Sequence, residues 1–106
     1  MCIITEIVTM KLAAVLTKDE FVSIVDGLEK DFHSKQSGFI DSELIYDEKN
    51  DTWIMVQHWE TMEQLKEASR KIFADSAAEP FVKSLDPKSV KMTIAPRLGA
   101  WSQGNE

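Results

Sequence analysis

The sequence predicts an α+β fold of order βαββαβ, with two helices against a four-stranded antiparallel sheet. Three observations predict it. Four runs rich in β-branched and aromatic residues read as strands. Two longer segments place apolar residues at helical spacing behind hydroxyl capping signals. A five-residue polar turn joins the two middle strands as a hairpin.

Residues 3–12 carry Ile, Val and Thr without helix punctuation and form the first predicted strand. Thr17 then stands three residues before Glu20, the spacing at which hydroxyl and carboxylate cap each other's backbone donors, and Asp19 adds charge to the positive helix end. Phe21, Ile24, Val25, Leu28 and Phe32 follow as one buried stripe. Ser37 and Gly38 end this unit, because glycine accepts the backbone angles that turn the chain. Strands are predicted over 39–46 and 52–59, around the turn Asp47, Glu48, Lys49, Asn50 and Asp51. Thr61 and Gln64 repeat the capping spacing, and Met62, Leu65, Ala68, Ile72 and Phe73 give the second amphipathic helix, which fades near Asp75. Pro80 fits the first turn of a short extra helix with Phe81, Val82 and Leu85, and 89–95 is the last strand. This order is the split βαβ, ferredoxin-like arrangement.

Two helices cover only one face of such a sheet, so the other should be polar in an isolated chain. Alternation instead puts apolar residues on both faces: Trp53, Met55 and Trp59 against Ile54 and Val56; Phe39 and Ile45 against Ile40 and Leu44; Ile4, Val8 and Met10 against Ile3 and Ile7. A second copy packed sheet to sheet is the expected cover, since most soluble oligomers are symmetric. A homodimer is therefore predicted.

The 106 residues are 43% hydrophobic and 28% charged, a globular composition compatible with one domain over 1–106, its core about 3–96 and its tail 97–106. A formal charge of −6 argues against nucleic-acid or anionic-membrane partners, and no apolar run reaches the length of a spanning helix. Cys2, the sole cysteine, leaves no intramolecular disulfide, and no secretion signal is legible, so the cytoplasm is the expected compartment. His33 and His58 are far apart in sequence and suggest no metal site, and no phosphate loop or dinucleotide fingerprint is present. No cofactor is expected.

Gly38 opening a strand, the acidic turn, and a strand ending in Trp59, Glu60 and Thr61 that runs into a helix at Glu63 and Leu65 resemble the antibiotic-biosynthesis-monooxygenase-like domains of the dimeric α/β-barrel superfamily. The resemblance covers about residues 3–94. It implies a dimeric barrel and a cleft, in a group that includes cofactor-free oxygenases of aromatic polyketides and quinols. Ala68 and Ala78 stand where the haem-degrading branch carries its tryptophan and axial histidine, which argues against haem chemistry.

Within that frame His58 is the candidate catalytic base, since an imidazole titrates near neutrality and could deprotonate a phenol or hydroquinone for direct reaction with O₂. Trp53 and Trp59 are candidate ligand walls, and Tyr46 and Ser42 candidate hydrogen-bonding groups. Which strand parity faces the helices decides whether His58 or Gln57 sees the cleft. Glu6 or Glu43 becomes an alternative base if either faces the closed interior, where burial raises a carboxyl pKa. Trp101, in a tail between Gly99 and Gly104, is expected to dock on its own or a partner's barrel. The expected function is that of a cofactor-independent monooxygenase-like protein acting on a small aromatic or quinol-type compound. The alternative is a non-catalytic small-molecule-binding or orphan barrel protein.

Overall fold

A computed structural model describes residues 2–104 of the chain, so Met1 and the last two tail residues lie outside the description. Strand β1 spans Ile4–Met10, helix α1 Lys18–Asp31, strands β2 and β3 Phe39–Asp47 and Thr52–Trp59, helix α2 Met62–Lys71, short helix α3 Glu79–Ser84, and strand β4 Lys91–Pro96. The sheet order β2-β3-β1-β4 is antiparallel throughout, which is the ferredoxin-like α+β fold the sequence predicts. No helix among the described residues is long and apolar enough to cross a membrane.

The capping signals set the helix starts. Thr17 Oγ1 accepts from Glu20 N at 3.1 Å while Glu20 Oε1 accepts from Thr17 N at 2.8 Å. At α2, Thr61 Oγ1 accepts from Gln64 N, but the Gln64 side chain turns away from the cap backbone. It lies instead under Gly38, where φ is +84° and any Cβ would fall 2.0 Å from Gln64 Oε1. Only glycine fits that turn.

Opposed residues in an antiparallel pair share a face, so the register reads out four rows on the helix side. Ile4, Trp59 and Phe39 form one row, Glu6, Gln57 and Ser42 the next, Val8, Met55 and Leu44 the third, and Met10, Trp53 and Tyr46 the last. Leu65 and Ala68 of α2 cover the first row. Phe21, Val25 and Leu28 of α1, with Phe81 of α3, cover the last two. The second row lies between two apolar layers and is polar.

One parity expectation is corrected. Alternation counted from Phe39 puts Ile45 with Phe39 and Leu44 with Ile40, but the ladder slips between Phe39 and Asp41. The extra residue of this β-bulge switches the parity of the rest of β2. Phe39 and Leu44 therefore both face the helices, while Ile45 stands opposite Ile54 on the open face. That open face carries Ile7, Val56, Ile54 and Ile45 in the middle, with Thr5, His58 and Asp41 in one outer row.

Candidate functional site

A cavity of about 370 Å³ opens between the sheet and the helices. Val8, Met55, Phe32, Ile72, Phe81, Val82, Leu85 and Met92 give it apolar walls. Glu6, His33 and Gln57 supply its polar end, with Trp59 beside them, and Ser69 of α2 also lines it. Four polar side chains are buried among the described residues: Glu6, His33, Gln57 and Ser84. Ser84 is satisfied by the Pro80 carbonyl at 2.7 Å. The other three converge on the cleft, and buried polar groups that converge on an apolar cavity mark a site.

Glu6 reaches this position because the second row of β1 points inward. Its Oε1 accepts from the Trp59 indole N–H at 3.1 Å. Burial pushes its pKa up, against the Trp59 hydrogen bond and the nearby His33, which both favour the charged form. His33 sits in the 3-10 turn His33–Lys35 that follows α1. Its Nδ1 lies 2.6 Å from Glu29 Oε2, four residues back on α1. The imidazole stacks on Phe39 at 5.3 Å and meets Phe32 and Trp59 edge to face. Gln57 Nε2 stands 3.3 and 3.4 Å from its two ring nitrogens. The remaining Glu29 oxygen, Oε1, is buried without a partner.

The strand parity places Gln57, and not His58, at the cleft. His58 lies on the open face, where its Nδ1 is 2.6 Å from Asp41 Oδ1, so the structure does not bring it together with Trp53 and Trp59. Trp59 lines the cleft. Trp53 is buried one end further along, its ring 4.7 Å from Phe21 and 4.6 Å from Tyr46. Tyr46 donates to Asp51 at 2.7 Å at the hairpin, and Ser42 is half-buried beside Gln57. Glu43 is exposed on the open face, so of the two strand carboxylates only Glu6 meets the condition of burial. Trp101 is 90% exposed with its ring turned over Gly99, and thus is not docked on its own sheet. The i, i+4 spacing of Glu29 and His33 is the sequence signal for their pairing, one that a reading for metal ligands passes over. Among the described residues no three His, Cys, Asp or Glu side chains cluster as a metal site.

The chain thus belongs by architecture to the ferredoxin-like α+β proteins with a cleft between sheet and helices. No protein-family model and no curated protein matches it. Solved structures do. SnoaB, a cofactor-independent oxygenase from Streptomyces nogalater, is 14% identical with a TM-score of 0.62, covering 96% of this chain and 97% of its own. A dimeric ferredoxin-like protein from an uncultured marine organism is 11% identical with a TM-score of 0.67, covering 98% and 95%. A conserved protein from Methanosarcina mazei Go1 is 19% identical with a TM-score of 0.66, covering 90% and 92%. The resemblance to antibiotic-biosynthesis-monooxygenase-like domains therefore holds in three dimensions, as a likeness of fold.

Proposed function

We propose that this protein is a cytoplasmic, cofactor-independent oxygenase that binds a small hydroxylated aromatic or quinol in the sheet–helix cleft. The observation that carries the reading is the buried Glu6 carboxyl at the end of an otherwise apolar cavity. Apolar walls take the ring system, and Trp59 flanks the oxygen-bearing end. Burial favours the neutral form of Glu6, so that its carboxyl donates a hydrogen bond to the substrate oxygen. Such a donor stabilises negative charge that develops on that oxygen, and the electron-rich anion then reacts directly with O₂. The oxygenase neighbour shares the fold and supports this choice over other aromatic-binding activities.

The test uses 1,4-dihydroxynaphthalene as probe. Protein-dependent O₂ uptake above the spontaneous rate supports the reading; a probe that binds in the cleft without accelerated uptake leaves a non-catalytic binding protein.

The same reading includes a homodimer joined through the open face. Ile7, Ile54, Val56 and Ile45 are incompletely buried there, and at about 25 cal/mol per Å² covering them on both copies contributes several kcal/mol. Light scattering behind size exclusion is expected to give twice the chain mass, and Val56→Lys to return it to the mass of one chain. A wild-type protein at the mass of one chain at micromolar concentration would overturn the dimer.

A further inference from the structure

We propose that His33, held by Glu29, is the base that removes the hydroxyl proton of the ligand in this cleft. The proposal rests on the reading of the cleft as a hydroxy-aromatic site, and adds a group that the sequence resemblance does not supply.

The geometry orders the imidazole. With Nδ1–H donating to Glu29 Oε2 at 2.6 Å, the neutral ring carries its lone pair on Nε2. His33 is 5% exposed and lines the cavity, so that lone pair is withheld from bulk water. Gln57 Nε2 lies 3.3 Å from Nδ1 and 3.4 Å from Nε2, shared between the two ring nitrogens, and so leaves the Nε2 lone pair without a dedicated donor. A ligand hydroxyl entering beside Gln57 offers a better donor. The titratable groups facing the ring are Glu29 from α1 and Glu6 from β1, the second kept neutral by burial; Phe32, Phe39 and Trp59 enclose the rest. Any positive charge formed on the ring is therefore balanced by a carboxylate already in contact.

The step balances without a further reactant. The ligand O–H bond breaks, and its electron pair stays on oxygen, hydrogen-bonded to Glu6. The proton bonds to Nε2, and the resulting imidazolium is paired with Glu29. The proton is held within the dyad for as long as the oxyanion is bound.

The experiment combines ¹⁵N-histidine spectra of the whole protein with the absorbance of bound 2-naphthol, and needs no turnover. The chain has only two histidines, and His58→Ala assigns the second set of signals. Saturating 2-naphthol, at a pH where the free probe is neutral, is expected to show naphtholate absorbance while the His33 signals move to the imidazolium pattern. Glu29→Gln should still bind the probe but lower the naphtholate fraction by about tenfold, the equivalent of one pKa unit. Naphtholate formed while His33 stays neutral, or bound probe that stays neutral in the wild type, overturns the dyad and leaves the cleft assignment standing. Failure of 2-naphthol to bind at all overturns both. The wild-type spectra decide the matter even if the Glu29 variant does not fold.

Discussion

Two histidine–carboxylate pairs of the same length lie on opposite faces of one sheet. His33–Glu29 and His58–Asp41 each close at 2.6 Å, yet side-chain exposure is 6% and 23% in the first and 22% and 64% in the second. The first ring is packed among three aromatic rings beside a cavity, and the second stands in an outer row of the open face. The difference teaches that pair geometry alone does not define a chemical site. Water screens a pair whose carboxylate is exposed, so that pair adds little, whereas a pair enclosed with a cavity holds both tautomer and charge in place.

The largest expected effect separates the pairs by stability. His33→Ala removes the ring from its aromatic surround and leaves Glu29 partly buried without its partner, which should lower the unfolding free energy by about 3 kcal/mol in urea titrations. His58→Ala should lower it by less than about 1 kcal/mol. Comparable losses for the two variants would break the comparison.

Turnover is the next separation. Glu6→Leu, a near-isosteric change that removes the donor at the cleft, is expected to reduce protein-dependent O₂ uptake with 1,4-dihydroxynaphthalene by about 100-fold. His58→Ala, on the far side of the sheet, should stay within about twofold of wild type. A collapse of activity in the His58 variant would move the site to the open face.

The smallest effect is a pH slope that only the covered face should show. Burial raises the Glu6 pKa in the folded chain, so folding favours its protonated form. Its contribution to stability is fully present below the unfolded pKa and is lost as pH rises through the raised folded value. Glu6→Gln keeps an acceptor for the Trp59 indole and removes that slope. Urea titrations at acid and at neutral pH should therefore show wild type losing stability relative to Glu6→Gln as pH rises above the ordinary carboxylate range, by about 1.4 kcal/mol for every tenfold weakening of the acid on folding. A flat difference would mean that the carboxyl is better solvated than its surroundings imply.

Much of this architecture is legible in local sequence. The Thr17–Glu20 and Thr61–Gln64 spacings announce the helix starts, and the glycine at 38 announces a turn, because these signals act over three or four residues. Alternation in β3 is unbroken, so Trp53, Met55, Gln57 and Trp59 sort together without reference to anything distant. The same logic fails in β2, where a single bulge residue near Ile40 switches the parity of everything after it.

By itself the sequence determines the order of elements, the fold they build, and the presence of apolar residues on both faces of the sheet. Tertiary structure alone decides which face the helices cover, because two faces of similar hydrophobicity leave that choice to the handedness and packing of the crossovers. That choice buries Glu6 and Gln57 and leaves His58 on the open face. It also brings His33 from the end of α1 to Gln57 on β3, 24 residues away, a pairing that no local spacing encodes.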